Sequence, residues 1–301
     1  MRLYVIVPTL NASGEWGQFA SALLSNVAPQ QVLVVDSSST DGTGELARAS
    51  GFRVHTIDRS DFNHGGTRQL AAELLPEADV LVYLTQDAVM SGPDAIGRLC
   101  AVFSDPNIGA AYGRQLPRLG ANPIESNARL FNYPSTSSTR SLTAREELGF
   151  KAIFISSSFS AFRRSALLEV GGFPRNVIFG EDTVVAARLL LRDWKIAYVA
   201  EAQVYHSHAY TWRQDFKRYF DIGVLHRREG WLLQEFGQAA GEGKRFVLSE
   251  LKYLWPRHAW LIPSALIRTG LKLVGYRLGR IEDKLSLAWK RRLSMHHRFW
   301  K

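Results

Sequence analysis

The chain has 301 residues, and 46% of them are hydrophobic, which is enough to bury a large core and too many for a disordered protein. The formal net charge of +9 favours an anionic partner, such as a nucleotide, a nucleic acid or an acidic lipid, without choosing among them. A single cysteine, Cys100, excludes an internal disulfide, as expected in a reducing cytoplasm. We see no export signal, and proline and charged residues interrupt the longest apolar region, 259–276, so we do not expect a membrane-spanning helix.

Short β-branched runs alternate with helical patterns in the first third of the chain, and this order builds a parallel sheet through right-handed crossovers. Ligands of such sheets bind at the carboxyl ends of the strands. Three of these ends carry polar or acidic residues, among them Asn11, Asp36 and Asp87. An α/β domain that holds a nucleotide through a metal ion is therefore the leading interpretation. The predicted strands are 3–7, 31–36, 53–57 and 80–85, and the predicted helices are 15–25, 42–50, 65–75 and 93–103.

The pattern changes twice after the first third of the chain. Residues 115–147 are rich in Pro, Asn, Ser, Thr and Arg, which is typical of a substrate-facing loop or a mobile lid. Beyond residue 212, long helical patterns rich in Arg, Lys and Trp follow, so we predict a domain boundary there and a helical region at 213–301. Between these two regions we predict a strand at 152–162, helices at 164–170 and 182–192, and a strand at 197–205.

Five motifs give the chain a family resemblance. In order they resemble the motifs of family 2 glycosyltransferases, which have the GT-A fold, and the match covers roughly residues 3–210. The resemblance implies a catalytic domain at 1–212, with a donor-binding half at about 1–110 and an acceptor-facing half at about 111–212. The motifs are the segments 5–11, 34–43, 85–88, 171–173 and 180–182.

Two segments indicate which members of this family the chain resembles most. Residues 61–68 (Asp-Phe-Asn-His-Gly-Gly-Thr-Arg) and 85–88 (Thr-Gln-Asp-Ala) look most like those of bacterial rhamnosyltransferases, which use dTDP-L-rhamnose to build surface polysaccharide or lipopolysaccharide. The resemblance implies an inverting transfer of L-rhamnose from dTDP-L-rhamnose to a hydroxyl of a saccharide or lipid-linked acceptor. Many relatives have a two-carboxylate Asp-x-Asp motif where this chain has a single Asp87, so a metal would need ligands from elsewhere.

The resemblance assigns the donor nucleotide to the ends of the first two strands. Asp36 would accept a hydrogen bond from the imide N–H of uracil or thymine. The alternative is an Asx turn or a helix cap, since Ser-Ser-Ser-Thr-Asp-Gly is also good turn chemistry and Asp41 precedes a predicted helix. The donor-binding residues expected here are Pro8, Thr9, Asn11, Asp36, Ser38 and Asp41.

A second donor-binding element is expected at residues 61–68. Glycines let the backbone approach a diphosphate closely, a helix N-terminus favours anions, and an arginine can pair with phosphate oxygens. The alternative is an ordinary glycine-containing loop before a surface helix. The residues expected to hold the diphosphate are Asn63, His64, Gly66 and Arg68.

Asp87 is expected to bind Mg²⁺ or Mn²⁺, which bridges the two donor phosphates, with Gln86 beside it in the donor site. Hard divalent ions prefer oxygen ligands, and one carboxylate suffices when substrate phosphates complete the shell. His206 and His208 follow the predicted strand 197–205, and the resemblance makes one of them, preferably His206, an additional ligand. The alternatives are a solvated aspartate that caps a helix and a histidine on the surface.

Glu181 and Asp182 begin a predicted helix, where acidic residues are common because they compensate the helix dipole. The resemblance assigns the general base to this motif, and we favour Asp182 over Glu181. A carboxylate suffices because the acceptor hydroxyl becomes acidic as the new C–O bond forms. The expected reaction is a single in-line displacement with inversion, which gives an α-linked product from β-linked dTDP-rhamnose without a covalent enzyme intermediate.

Residues 266–285 have the spacing of an amphipathic basic helix. With several tryptophans nearby, this helix suits the anionic cytoplasmic face of a membrane, where a lipid-linked acceptor would be found. The alternative is a helix that packs its apolar face on the catalytic domain, and the two are compatible. We expect a cytoplasmic protein with the option of peripheral attachment to the cell membrane. The apolar positions are Leu266, Gly270, Val274, Leu278, Ile281 and Leu285, and the basic ones are Arg268, Lys272, Arg280 and Lys284.

Three other functions fit parts of the sequence. The same fold can use a UDP-hexose donor, because uracil and thymine differ by one methyl group. Asp182 argues against a non-catalytic sugar-nucleotide binder. A nucleic-acid-binding protein is disfavoured because the basic residues concentrate after residue 212 and no recognition motif is present, so no nucleic-acid partner is expected.

Overall fold

The computed structural model describes residues 1–237 and 241–301 of the chain. Its centre is one mixed sheet of nine strands. In chain order the strands are β1 (Leu3–Thr9), β2 (Val32–Asp36), β3 (Arg53–Thr56), β4 (Val80–Leu84), β5 (Val89–Met90), β6 (Ile108–Leu116), β7 (Ser138–Arg140), β8 (Phe159–Arg163) and β9 (Lys195–Tyr205).

Helices cover both faces of the sheet and build the C-terminal part of the chain. Short 3-10 turns join several of them. The α-helices are α1 (Ser13–Leu24), α2 (Thr43–Ala49), α3 (His64–Glu73), α4 (Ala95–Ala101), α5 (Pro123–Asn132), α6 (Arg145–Leu148), α7 (Arg164–Glu169), α8 (Glu181–Leu190), α9 (Trp212–Arg228), α10 (Gly230–Phe236), α11 (Glu242–His258), α12 (Ile262–Gly279) and α13 (Leu287–Leu293).

The strand order places the ends of distant strands on one edge of the sheet. The order is β3-β2-β1-β4-β8-β6-β9-β5, with β7 paired to β9. β1 to β4 run parallel, β8 is antiparallel to both β4 and β6, and β6 is parallel to β9. The carboxyl ends of β1, β2, β4, β6 and β9 and the start of β8 therefore open on the same edge.

The side chains of β4 show how the core is divided by the sheet, because successive residues of a strand point to opposite faces. Val80, Val82 and Leu84 pack in one buried cluster with α1, α2 and α4. Leu81 and Tyr83 pack in the other cluster with α3, α7 and α8. Burial on both faces explains why the sequence of β4 is a continuous apolar run rather than an alternating one.

The middle of the chain corrects two sequence predictions. The run 152–162 is not one strand, since a 3-10 turn covers Gly149–Ile153 and β8 begins only at Phe159. Residues 115–147 are not an irregular loop, because they contain the end of β6 as well as α5 and β7. The overlooked signal is Asn122, whose side chain accepts a hydrogen bond from the Glu125 N–H, followed by Pro123 at the first helical position.

The C-terminal helices share a core with the sheet. Phe220 and Val224 of α9, Leu232 of α10 and Trp300 belong to the same buried cluster as Tyr83 of β4. The predicted domain boundary at residue 212 coincides with the start of α9 and stays a prediction. None of the helices in residues 1–237 and 241–301 has the length and apolarity needed to cross a bilayer.

Helix α12 is amphipathic in the opposite sense from the prediction. Its basic residues Arg268 and Lys272 face inward and pair with the buried Asp215 of α9. Its apolar residues Leu266 and Val274 are exposed. A buried carboxylate must be compensated by nearby cations, and this requirement turns the basic side of the helix toward the protein.

Helix α12 is also shorter than the predicted stretch 266–285. It ends at Gly279, and Glu282–Lys284 form a separate 3-10 turn. The predicted apolar positions Ile281 and Leu285, like the basic Arg280, therefore lie outside the helix.

Candidate active site

The loops that carry the predicted site residues are joined at the carboxyl edge of the sheet. Gln86 Oε1 accepts a hydrogen bond from the Leu10 N–H (2.7 Å), and Gln86 Nε2 donates to the Leu10 carbonyl (3.1 Å). The Thr85 N–H donates to the Ser158 carbonyl just before β8 (3.2 Å). Gln86, predicted to contact the donor, thus holds the ends of β1 and β4 together, and Pro8 lies half-buried beside this junction.

Asn11, Asp36 and Ser38 form one cluster at the ends of β1 and β2. The buried Asp36 carboxylate accepts a hydrogen bond from the Ser39 N–H (3.2 Å), and Asn11 Oδ1 accepts one from the Thr40 N–H (2.9 Å). Asn11 and Ser38 have φ angles of 49° and 56°, a left-handed conformation that is uncommon outside glycine and concentrates at functional sites. The structure brings these three predicted residues together, and their contact with a donor stays a prediction.

Asp41 and Thr9 have partners within the protein. Asp41 accepts hydrogen bonds from the Thr43 N–H (3.1 Å) and the Ser13 N–H (2.9 Å), which joins the starts of α2 and α1. Hydrogen bonds from these two residues hold the pKa of the Asp41 carboxyl well below its ordinary value. The buried Thr9 hydroxyl donates to the Val7 carbonyl (3.0 Å). The N-cap of α2 is Gly42 rather than Asp41, so the Asp41 side chain joins the two helix starts without being the cap, and its contact with a donor stays a prediction.

Asp87, His206 and His208 converge on one point. Asp87 Oδ2 lies 3.4 Å from His206 Nε2 and 3.7 Å from His208 Nε2, and one ligand atom from each residue lies within 4.8 Å of the other two. This spacing fits neighbouring ligands of a single cation at metal–ligand distances of about 2.1 Å. The loop after β4 supplies the aspartate and the segment after β9 supplies the histidines, so the group forms only when the sheet is assembled.

The hydrogen bonds around His206 determine which ring nitrogen faces Asp87. Arg129 Nη1 lies 2.6 Å from one atom of the Gln115 amide, and this atom must be the oxygen because arginine can only donate. The same oxygen lies 2.9 Å from His206 Nδ1, which must therefore carry a proton. In the neutral ring, His206 Nε2 then directs a lone pair at the Asp87 carboxylate, which is repulsive unless a cation lies between them.

Burial keeps both imidazoles neutral and able to bind a metal. It lowers the pKa of His206 and lowers that of His208 to about 4, and the Asp87 carboxylate offsets only part of this effect. Two neutral imidazoles and one carboxylate form a donor set that divalent transition metals accept more readily than Mg²⁺ does. The residues therefore fit a divalent ion.

Asp182 lies in the first turn of α8, and two backbone N–H groups hold its carboxylate. Its Oδ2 accepts a hydrogen bond from the Ser157 N–H and its Oδ1 accepts one from the Thr183 N–H, both at 2.8 Å. Burial, reinforced by the charge of the neighbouring Glu181, raises the pKa of Asp182 to about 6. A carboxylate of this kind is a stronger base than an ordinary aspartate and is still ionised at neutral pH, as a proton acceptor requires.

A short chain of contacts connects Asp182 to the metal-ligand group. Gln115 Nε2 donates to Ser156 Oγ (2.9 Å), and the next residue, Ser157, donates its N–H to Asp182. The oxygen of the same Gln115 amide contacts His206. The predicted base and the predicted metal ligands therefore lie along one continuous edge of the sheet rather than on separate surfaces.

Arg68 and Glu181 form a buried ion pair. Arg68 Nη1 lies 3.0 Å from Glu181 Oε1, and both side chains are almost fully buried. The same arginine nitrogen donates to the His64 carbonyl (2.9 Å), so the guanidinium is used inside the protein. We therefore correct the prediction that Arg68 contacts the donor phosphates. The Glu181 carboxylate is held in this ion pair, in keeping with the preference for Asp182 as the base.

The rest of the segment 61–68 serves to begin α3. Asn63 is the N-cap, and its Oδ1 accepts a hydrogen bond from the Gly66 N–H (2.6 Å). A Cβ at Gly65 would lie 1.8 Å from a carbonyl oxygen of the loop before α8, so only glycine allows this close packing. His64 packs edge-on against His296, and burial lowers its pKa to about 3. The alternative of a helix-starting glycine loop explains Asn63 and Gly66, and their contact with a donor stays a prediction.

Three residues of the stretch 115–147 lie at the site although the sequence did not predict them there. Gln115 and Arg129 orient His206, as described above, and Arg118 Nη2 donates to the Asp87 carbonyl (2.7 Å). All three lie on β6, α5 or the loop between them. The available signal was the number of basic residues in a stretch already predicted to face substrate.

Helix α9 also contributes a residue that sequence analysis missed. The Arg218 guanidinium lies over the Phe179 ring (5.7 Å) and the Tyr210 ring (5.6 Å). Tyr210 follows the predicted ligand His208 and Phe179 precedes the Glu181–Asp182 motif, so the guanidinium lies near two of the predicted site regions. Arg218 was not among the predicted site residues because it lies beyond the predicted boundary at residue 212.

The sequence and the fold of the chain are similar to those of known glycosyltransferases. Residues 1–220 match the family model described as glycosyltransferase like family 2. The chain is 44% identical over 302 residues to the O-antigen chain rhamnosyltransferase RfbN of Salmonella typhimurium, a match that covers 100% of this chain and 96% of the relative. It is 43% identical over 298 residues to the O-antigen chain rhamnosyltransferase WbaN of Salmonella anatum, covering 98% of this chain and 95% of that relative. The fold resembles that of the mannosyltransferase PcManGT from Pyrobaculum calidifontis, solved in complex with GDP-Man and Mn²⁺, with a TM-score of 0.57, 19% identity, and coverage of 99% of this chain and 85% of that chain.

Proposed function

Because the chain belongs to glycosyltransferase family 2, we propose that it transfers L-rhamnose from dTDP-L-rhamnose to a saccharide hydroxyl in the assembly of a bacterial O-antigen. The two Salmonella relatives, which match over nearly the whole chain, support rhamnose as the sugar and O-antigen as the product. The observation that carries the catalytic part is the connected group of Asp87, His206, His208 and Asp182 at one edge of the sheet.

The donor nucleoside is placed at the ends of β1 and β2. The buried Asp36 carboxylate accepts the imide N–H of the base, and the left-handed residues Asn11 and Ser38 shape the backbone around it. Uracil and thymine share this imide, so Asp36 alone does not choose between dTDP and UDP. The preference for dTDP rests on the sugar named for the relatives.

The donor diphosphate is placed beside Asp87, His206 and His208. These residues would hold a divalent ion, for which we propose Mn²⁺, and a bound ion supplies positive charge for the phosphates and for the departing diphosphate. Arg218, whose guanidinium lies over the Phe179 and Tyr210 rings, takes the role that the sequence predicted for Arg68, which is to pair with phosphate oxygens.

Asp182 acts as the general base. It takes the proton of the acceptor hydroxyl as that oxygen forms a bond to the anomeric carbon of rhamnose and the bond from this carbon to the phosphate oxygen breaks. The nucleoside diphosphate leaves with the bonding electrons, and the configuration at the anomeric carbon inverts. The backbone N–H groups of Ser157 and Thr183 hold the carboxylate in position for this single displacement.

The acceptor is a saccharide, free or lipid-linked, and the reaction takes place in the cytoplasm. The acceptor enters beside Asp182, in the acceptor-facing half at about 111–212. Tyr133, at the end of α5, lies close enough to Asp182 for the carboxylate charge to contribute to the raised pKa of its phenol, although burial is the larger cause.

A donor panel tests the proposal. The melting temperature of the purified protein is measured with dTDP-L-rhamnose, UDP-glucose or GDP-mannose, each with and without Mn²⁺, because a tight ligand stabilises the folded state by mass action. We expect the largest increase with dTDP-L-rhamnose and Mn²⁺, and its loss in Asp36→Ala. Stabilisation by GDP-mannose alone would overturn the assignment of Asp36, and a preference for UDP-glucose would support the UDP-hexose alternative.

Transfer itself is measured as release of dTDP in the presence of a membrane extract that contains O-antigen intermediates. Asp182→Asn should keep the thermal response to the donor and lose about 10²-fold to 10⁴-fold of the transfer rate, as expected for removal of a general base. A variant that keeps full transfer would show that another group is the base. A wild-type protein that binds donor without any transfer would support the non-catalytic alternative.

A further inference from the structure

One face of α12 is apolar and exposed. A row of exposed residues recurs at the three- and four-residue spacing of a helical stripe. Soluble monomers rarely expose a large contiguous apolar surface, and such surfaces mark sites of interaction. The apolar members of the row are Leu266, Ile267, Leu273 and Val274, whose exposed fractions range from 44% to 50%.

Two tryptophans lie beside the turn that leads into this helix. Trp255, in the last turns of α11, is 74% exposed, and Trp260, in the 3-10 turn before α12, is 71% exposed. Tryptophan has an apolar body and a polar N–H, and it is enriched where a protein meets the boundary between lipid and water. Two largely exposed indoles at one turn indicate a surface that is covered in use.

The contacts between α12 and α9 leave the helix only one orientation. A Cβ at Gly275 would lie 2.4 Å from a backbone carbonyl oxygen of α9, and one at Gly279 would lie 2.0 Å from another, so the two backbones touch on this side. On the same side Arg268 pairs with the buried Asp215. The apolar face is therefore held outward by close packing and by a buried ion pair. Turning it inward would separate the two helix backbones and break the pair between Arg268 and Asp215.

The charge around this face suits an anionic surface. Residues 241–301 contain 14 Lys and Arg against 4 Asp and Glu, so the net positive charge of the chain comes from this segment. Lys252 and Arg257 of α11 and Arg277 of α12 are exposed next to the apolar residues. Apolar and aromatic side chains flanked by cations match the acyl boundary and phosphate groups of an anionic bilayer.

We propose that the exposed face of α12, together with Trp255 and Trp260, docks onto an anionic lipid bilayer with the helix lying in the membrane plane. The side that enters the bilayer is the apolar one, whereas Arg268 and Lys272 stay in contact with Asp215. This is the reverse of the orientation predicted from the sequence, in which a basic side met the lipid.

The docked helix is directly connected to the metal-ligand segment. Arg268 Nη1 donates to the Tyr210 carbonyl (2.6 Å), and the Tyr210 ring packs on the His208 ring at 5.2 Å. Docking of α12 would therefore hold the group of Asp87, His206 and His208 close to the membrane surface. If the proposed function is correct, a lipid-linked acceptor would reach Asp182 from that surface.

Co-sedimentation of the full chain with vesicles tests the docking surface. We expect binding to phosphatidylcholine vesicles that contain phosphatidylglycerol, weaker binding to phosphatidylcholine alone, and a decrease at high salt because charge contributes. The double variant Trp255→Ser/Trp260→Ser should bind the anionic vesicles at least about tenfold more weakly, since it loses the burial of two large rings. The matched control is Trp289→Ser on α13, which is 52% exposed and lies outside the proposed surface.

Several outcomes would overturn the proposal. These are no binding of the wild-type protein to anionic vesicles, an equal loss in Trp289→Ser, or a stable dimer in light scattering that Leu266→Ser dissociates, since a second copy would then cover the face. Quenching of wild-type tryptophan fluorescence by brominated lipid requires no substitution, and its absence would also overturn the proposal. Vesicle binding does not depend on donor or transfer, so its failure is distinguishable from a failure of the proposed function.

Discussion

At the scale of single residues, Gln115 fixes which nitrogen of the His206 ring carries the proton. Its amide oxygen accepts from His206 Nδ1 and thereby directs His206 Nε2 toward Asp87. Gln115→Leu removes this acceptor at similar size. We expect the affinity for Mn²⁺ to fall about 10-fold to 100-fold, as for other residues that orient metal-binding histidines, measured by calorimetric titration without donor.

The control for this variant is a second glutamine on the neighbouring strand. Gln203 of β9 donates to the Ala200 carbonyl and is half-buried, so Gln203→Leu changes the sheet edge without touching His206. An unchanged Mn²⁺ affinity in Gln115→Leu, or an equal decrease in Gln203→Leu, would contradict the role of Gln115.

The raised pKa of Asp182 predicts a pH dependence of the rate. Below pH about 6 the carboxyl is protonated and cannot accept the hydroxyl proton, so kcat/KM should fall about tenfold per pH unit on the acid side. Burial is the main cause of the raised pKa and the Glu181 charge adds to it. Glu181→Gln should therefore shift the acid limb to lower pH, because a negative neighbour is removed while Arg68 keeps its positive charge.

The measurement is the pH profile of kcat/KM for wild type and Glu181→Gln, with the melting temperature recorded at each pH to exclude unfolding. An acid limb that moves to higher pH, or does not move, would show that Glu181 does not influence the base. A rate independent of pH across this range would argue against Asp182 as the base.

At the scale of elements, two glycines on α12 provide a matched pair. A Cβ at Gly275 would lie 2.4 Å from the Phe216 carbonyl oxygen of α9, whereas one at Gly270 would meet nothing within 4 Å. We expect Gly275→Ala to lower the free energy of unfolding by about 1–3 kcal/mol, because the two helices must move apart. Gly270→Ala should raise it by up to about 1 kcal/mol, because alanine favours a helix.

Urea unfolding followed by circular dichroism measures both changes. Equal effects of the two substitutions would mean that α9 and α12 are not in backbone contact. In that case the outward orientation of the apolar face of α12 would lose its structural reason.

The predicted GT-A fold is confirmed at this scale. The strands predicted in the first third match β1 to β4 closely, because each is a β-branched run bounded by turn residues. The middle of the chain was predicted less well. The run 152–162 has strand-like composition, but only the part that pairs with β4 and β6 forms β8, and pairing partners are not visible in a local pattern.

At the scale of the whole molecule, the end of the chain stabilises the catalytic core. Trp300 is buried in the same cluster as the sheet, with the cationic groups of Arg228 and Lys290 at 5.0 Å and 5.2 Å from its ring. We expect Trp300→Ala to reduce the free energy of unfolding by about 3 kcal/mol, a typical cost for removing a buried aromatic ring. Chemical denaturation measures this change.

The control is Trp289→Ala on the exposed side of α13, which should change stability by less than about 0.5 kcal/mol. If Trp300→Ala had as little effect, or if residues 213–301 unfolded in a separate transition, the C-terminal region would be an independent unit. A single transition for the wild type would instead indicate that the region predicted as an extension completes the core.

The sequence by itself determined the parallel half of the sheet and the places of Asp36, Asp87 and Asp182, because strand periodicity and turn residues are local and strand ends in such a sheet meet at one edge. Only the tertiary structure decided the partner of Arg68, the tautomer of His206 and the outward face of α12. Each of these depends on a contact between residues far apart in the chain, Arg68 with Glu181, His206 with Gln115, and Arg268 with Asp215. A local pattern shows that a charge or an apolar stripe exists, whereas the cost of burying an unpaired charge decides which way it faces.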